Sequence, residues 1–144
     1  MTVKTELLNY MIQEALTTRN FGAYAPYSNF KVGAILFVQN ARGVGGGFFF
    51  GANVENASFG LTICAERVAI FSAVAAWKAE SVFDTMVIAT KNGSTSCGAC
   101  LQVMMEFNPD MDLIFVNEDG KIVDVAMVKD LLRSSFVGDE IIEG

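Results

Sequence analysis

Three cysteines and no histidine stand in this 144-residue chain, and their placement restricts the fold more than any other feature. Cys64 opens the run Cys64-Ala65-Glu66-Arg67. Cys97 and Cys100 frame Cys97-Gly98-Ala99-Cys100, beginning 33 residues later. Both runs stand at the head of a segment with helical character. A fold that brings the three sulfurs to one point must set two helix N-termini side by side. Such termini carry partial positive charge and free N–H groups. Both effects lower thiol pKa and favour thiolate.

Three thiolates suit zinc, which takes sulfur and imidazole ligands in tetrahedral geometry. Structural zinc sites close all four positions with protein. Here only three sulfurs are on offer, so the fourth position falls to water or a carboxylate. Three protein ligands plus water is the arrangement of a catalytic zinc, and one Zn2+ per chain is the expected cofactor. Three thiolates around a dication leave one net negative charge. Arg67 is the candidate to offset it by donating to sulfur; the alternative is a surface arginine at a helix start. Glu66 is either a solvated carboxylate favoured by the helix dipole or a general acid/base beside the metal. The neighbouring Cys64 and the downstream Cys-x-x-Cys favour the second. A redox disulfide between Cys97 and Cys100 would leave Cys64 unexplained.

Periodicity supplies the surroundings. Leu7, Leu8, Met11, Ile12, Ala15 and Leu16 recur at helical spacing and predict a helix from Thr5 to about Arg19. Pro26 breaks the pattern. Phe30 to Val38 reads as a strand apolar on both faces. Asn40 to Gly47 is glycine-rich and predicts a turn, and Phe48 to Ala52 a second strand. Asn53 to Thr62 reads as loop. Ile63 to Lys78 is apolar nearly all round, so a helix buried on most sides is expected. A strand over Phe83 to Thr90, a helix over Cys97 to Phe107, strands over Leu113 to Val116 and Ile122 to Val125, and a short helix over Val128 to Leu132 follow. Strands apolar on both faces alternating with helices predict a sheet covered on both sides. The expected fold is a three-layer α/β/α domain spanning 1–144, with a mixed central sheet of about five strands.

Charge excludes some functions. Ten basic against sixteen acidic residues give a net charge of −6, and the basic residues are scattered singly. No basic stripe tracks a phosphate backbone, which argues against nucleic acid as partner. The apolar run Val68 to Trp77 is too short for a bilayer, which takes about 20 residues. The hydrophobic fraction of 52% without a membrane segment predicts surface hidden in a homo-oligomer. An odd cysteine count with a Cys-x-x-Cys fits reduced thiols in a cytoplasm.

The motifs together resemble the small homotetrameric zinc-dependent cytidine deaminases. Tyr24-Ala25-Pro26-Tyr27-Ser28-Asn29-Phe30-Lys31-Val32-Gly33-Ala34 is similar to that family's first strand entry. Asn53-Val54-Glu55-Asn56-Ala57, Cys64-Ala65-Glu66-Arg67 and Cys97-Gly98-Ala99-Cys100 match its central motifs. Leu131-Leu132-Arg133-Ser134-Ser135-Phe136 resembles its C-terminal segment. The resemblance implies the cytidine deaminase-like fold, a homotetramer, and hydrolytic deamination of cytidine and 2′-deoxycytidine to the uridine nucleosides, a pyrimidine-salvage reaction. It implies zinc on Cys64, Cys97 and Cys100 with a bound hydroxide attacking C4, and Glu66 as proton shuttle. It also implies Ala65 N–H on the base O2, Phe30 against the base, Asn53 and Glu55 on the ribose 3′-hydroxyl, and Phe136 reaching in from a neighbouring subunit. On spacing alone, Asn53 and Glu55 read as an Asx turn and a surface acid, and the two phenylalanines as packing residues.

Three positions depart from the family pattern. Ser96 stands where proline usually precedes the first cysteine, which removes backbone stiffness. Leu101 stands where arginine is usual, removing a positive charge near the thiolates. Arg133 replaces a common proline. They motivate two rival expectations: deamination of another aminopyrimidine nucleoside or nucleoside antibiotic, and a non-catalytic zinc-binding homologue.

Overall fold

Alternating apolar side chains build a mixed five-stranded sheet at the centre of the molecule. The structure, a computed structural model, describes residues 4–39, 45–77 and 81–142. Helix α1 (Thr5–Gly22) precedes strands β1 (Gly33–Gln39) and β2 (Gly46–Ala52). Helix α2 (Ala65–Trp77), strand β3 (Val82–Ala89) and helix α3 (Gly98–Phe107) follow. Strands β4 (Asp112–Val116) and β5 (Ile122–Met127) and short helices α4 (Val128–Leu131) and α5 (Asp139–Ile142) complete the chain. The strand order is β2-β1-β3-β4-β5. Among these five strands β3 and β4 run parallel, joined by the α3 crossover, and the other neighbours are antiparallel.

The faces of the strands sort into two cores. Ala34, Leu36, Val38, Met86, Ile88, Leu113 and Phe115 pack with α2 and α3. Ile35, Val87, Ala89, Ile114 and Val116 pack on the opposite side against Leu8, Met11, Ile12 and Ala15 of α1, the helical stripe that the sequence predicts. These are the three expected layers.

Several expectations need correction. The strand predicted from Phe30 begins only at Gly33, because the Asn53 side chain takes Phe30 O and Val32 N–H, and only Val32 O receives a backbone N–H, from Asn53. The sheet is not covered everywhere: the residues of β5 are exposed except Ala126, which is half-buried. The second long helix is not buried on most sides either, since Phe71, Ser72, Ala75 and Ala76 are exposed. The turn expected over 40–47 falls largely outside the described residues, as does Lys78.

Topology positions the cysteines. Strands β2 and β3 are both antiparallel to β1, so their C-terminal ends lie at one edge of the sheet; Gly33 pairs with both Ala52 and Ala89 there. The loops after β2 and β3 lead into α2 and α3, so the two helix heads meet over that edge, where open α/β sheets place ligands. Glycine permits the approach. A Cβ on Gly51 would lie 2.0 Å from Ala65 O and 2.6 Å from Ala69 N of α2. Gly51→Ala is therefore expected to push α2 off the sheet and destabilise the fold by about 3 kcal/mol; urea unfolding that shows no loss would contradict this packing.

Candidate active site

The heads of α2 and α3 bring the three sulfurs together. Cys64 immediately precedes α2, Cys97 caps the N-terminus of α3, and Cys100 lies in its first turn. Their Sγ atoms all lie within 4.8 Å of one another, and none is in a disulfide. Tetrahedral zinc with Zn–S of ~2.3 Å sets sulfurs ~3.8 Å apart; Cys64 Sγ and Cys97 Sγ are 3.8 Å apart. The donor set fits zinc. Cys100 is buried and Cys97 exposed, so the cluster has a closed side and an open one.

Proton sharing among the sulfurs favours negative charge at Cys64. The thiol of Cys100 donates to it, and Arg67 and Cys97 add further hydrogen bonds, lowering Cys64 to about 5. The same contact, with burial, pushes Cys100 up. Arg67 Nη2 donates to Cys64 Sγ at 3.4 Å, which raises the guanidinium pKa further. Arg67 Nε is buried and without a hydrogen-bond partner among the described residues. Arg67 thus faces sulfur, as the sequence reading favoured. Leu101 is buried in the core beside α2. Arg133 is exposed, and nothing in the structure explains its presence.

Glu66 stands in the first turn of α2 and is 5% exposed. Burial raises its carboxyl pKa, opposed by a hydrogen bond from Ser96. Ser96 Oγ donates to Glu66 Oε1 at 2.7 Å. Glu66, Cys64 and Cys97 open into a cleft of about 330 Å³, whose wall also includes Phe30, Asn53 and Glu55, while Cys100 lies buried behind it.

The far wall of this cleft is a tight turn held by two side chains. Glu55 Oε1 accepts from the N–H groups of Tyr27 (2.9 Å) and Ser28 (3.1 Å), and Oε2 from the Ser28 hydroxyl at 2.5 Å. The Ser28 hydroxyl leads these contacts in holding the Glu55 carboxyl below its ordinary range. Asn29 adopts a positive φ of 57°, a conformation asparagine tolerates. Asn53 Nδ2 donates to Phe30 O at 2.7 Å, and its Oδ1 accepts from Val32 N–H at 2.9 Å. Asn53 therefore holds the backbone that carries Phe30. One amide N–H remains for other use.

Ala65 is fully buried at the first position of α2, so its N–H is among those a helix leaves without an internal partner. Phe136 does not join the cleft of its own chain. It is 58% exposed, and the Gln102 side chain holds its backbone, donating to Phe136 O at 2.9 Å and accepting from its N–H at 3.2 Å. Ser28, Gln102 and the hydroxyl of Ser96 escaped the sequence reading. Their partners lie 27, 34 and 30 residues away, beyond any local pattern.

Comparison with known proteins agrees with this geometry. The model of the cytidine and deoxycytidylate deaminase zinc-binding region matches residues 5–117. A cytidine deaminase of Halalkalibacterium halodurans is 41% identical over 132 residues, covering 91% of this chain and 95% of its own. A cytidine deaminase of Mycoplasma genitalium is 36% identical, covering 79% and 84%. The crystal structure of the Burkholderia pseudomallei cytidine deaminase superimposes with a TM-score of 0.76 at 41% identity, covering 89% of this chain and 98% of that one. The domain match spans both cysteine motifs and most of the sheet, so the chain belongs to the cytidine and deoxycytidylate deaminase zinc-binding family.

Proposed function

We propose that this chain, as one domain spanning 1–144, hydrolyses cytidine and 2′-deoxycytidine to uridine and 2′-deoxyuridine with release of ammonia. The observation that carries the reading is a buried carboxyl group, Glu66, sharing one cleft with Cys64 and Cys97 of a three-sulfur cluster of zinc dimensions. Bound by Cys64, Cys97 and Cys100, zinc supplies an acidified water as nucleophile. Glu66 takes one proton of that water as its oxygen attacks C4 and delivers it to N3. It then takes the remaining proton from the new C4 hydroxyl and passes it to the amino group, which leaves as ammonia as the C4–N bond breaks and the C4 carbonyl forms. A single carboxylate serving in both directions benefits from a raised pKa, and burial acts in that direction.

The other residues orient the nucleoside. Ala65 N–H at the α2 head meets the base O2, and Phe30 packs on the base. Glu55 and the remaining N–H of Asn53 take the ribose 3′-hydroxyl. A carboxylate at the sugar repels a phosphate, and no Lys or Arg among the described residues lines the cleft. These features support a nucleoside over a nucleotide. The relatives named as cytidine deaminases support the base. The decisive experiment incubates zinc-loaded protein with cytidine and measures ammonia. Turnover is expected, and Glu66→Gln is expected to keep fold and zinc while losing about 10³-fold or more in rate. A Glu66→Gln variant as fast as the parent would contradict the mechanism; ammonia only from some other aminopyrimidine nucleoside would move the substrate.

The protein is proposed to act in the cytoplasm, where thiolates stay reduced. No helix among the described residues is long and apolar enough to cross a membrane. We also read it as a homotetramer in which Phe136 enters a neighbour's site. Exposed Phe59, Leu61, Phe71 and Phe136 support hidden contact surface. Sedimentation at the mass of one chain would contradict that assembly.

Arg67 is proposed to offset the excess charge of three thiolates. Arg67→Ala is expected to release zinc to a chelator about tenfold faster than the parent, while Arg133→Ala, at an exposed residue, matches the parent. Equal release from both variants would remove Arg67 from this role.

A further inference from the structure

Ser96 occupies the position at which the first cysteine of the Cys-x-x-Cys motif is approached, and it does more than fill a turn. The hydroxyl reaches across from the loop before α3 and donates to Glu66 Oε1 of α2 at 2.7 Å. Glu66 itself is buried and Ser96 half-buried, so competing water reaches the bond only in part. The loop that carries Ser96 is held at both ends. On one side Ser94 N–H donates to Thr90 Oγ1 at 2.9 Å, and Thr90, 3% exposed, has its own N–H on Val116 O of β4 at 3.1 Å. On the other side Cys97 caps α3 and belongs to the sulfur cluster. The loop is therefore braced without the stiff ring of a proline, and the side chain at 96 is available for a polar contact that proline has no donor to make.

The direction of the bond matters. A hydroxyl donor binds a carboxylate oxygen most strongly, and it can still donate to the carbonyl oxygen of a protonated carboxyl group. The contact to Oε1 can persist whether Glu66 carries a proton or not. We infer that Ser96 is a positioning residue for Glu66: its hydroxyl holds Oε1 in both protonation states and leaves Oε2 to carry the proton between water, base and leaving group. The inference rests on the proposed role of Glu66 in deamination. It assigns a function to the serine that this chain carries at 96.

Three variants separate the hydroxyl from the backbone. In zinc-loaded enzyme acting on cytidine, Ser96→Ala is expected to lower kcat about tenfold. The KM stays within about twofold, since only an interaction of the reacting carboxylate is lost. Ser96→Thr, which keeps a hydroxyl, is expected to recover to within about threefold of the parent. Ser96→Pro, which keeps a stiff backbone without a donor, is expected to behave like Ser96→Ala. All three retain one zinc per chain by metal analysis. An independent readout is infrared difference spectroscopy: the carboxyl band that disappears in Glu66→Gln should move to higher wavenumber in Ser96→Ala. Full kcat in Ser96→Ala with an unmoved band, or recovery by Ser96→Pro, would overturn the inference. Glu66→Gln, run beside them, separates the two levels. If it is inactive while Ser96→Ala is unimpaired, only the role of Ser96 falls; if it is as active as the parent, the reading of Glu66 falls first.

Discussion

The corner formed by the heads of α2 and α3 concentrates more negative charge than a protein interior ordinarily holds. Three sulfurs lie within 4.8 Å of one another, and a buried carboxylate stands in the next turn of chain. Left alone, like charges in such a place neutralise by taking up protons, and hydrogen bonding to Cys64 together with burial pushes the Cys100 thiol up in that direction. Three devices oppose the repulsion: two helix N-termini, the Arg67 guanidinium at 3.4 Å from Cys64 Sγ, and a dication that the donor set fits. The exposed Cys97 and the buried Cys100 give the corner its open and closed sides.

The rest of the fold serves that corner. Because β2 and β3 are both antiparallel to β1, their loops emerge at the same edge, and the helices that follow begin together. Gly51 lets α2 lie against the sheet closely enough for Cys64 to reach the α3 sulfurs. The same edge gathers Phe30, Asn53 and the Glu55-braced turn across the cleft from Glu66. That wall carries one carboxylate, Glu55, and no Lys or Arg among the described residues lines the cleft.

Much of this was legible in the chain, and the failures have a physical pattern. The layer order followed from apolar periodicity, and the sulfur cluster from the cysteine count and the missing histidines. Three-cysteine chemistry survives because it depends on residue types placed at helix heads, which local sequence encodes. The strand start at Phe30 was misplaced because Asn53, 23 residues away, captures the backbone that a ladder would have used. The bare faces of β5 and α2 could not be told from buried ones, since apolar residues look alike whether they meet the same chain or another. Ser96 read as a lost proline because a hydroxyl's value depends on what lies 2.7 Å from it across 30 residues of chain.

Cytidine is proposed to be deaminated beside Glu66 only when Cys64, Cys97 and Cys100 hold one zinc. Titration of zinc into metal-free protein, with ammonia release from cytidine followed at each addition, tests it most directly. Turnover should rise linearly and break at one zinc per chain, and a chelator in excess should abolish it. Undiminished turnover in metal-free protein, or none from fully loaded protein on any aminopyrimidine nucleoside, would contradict the account.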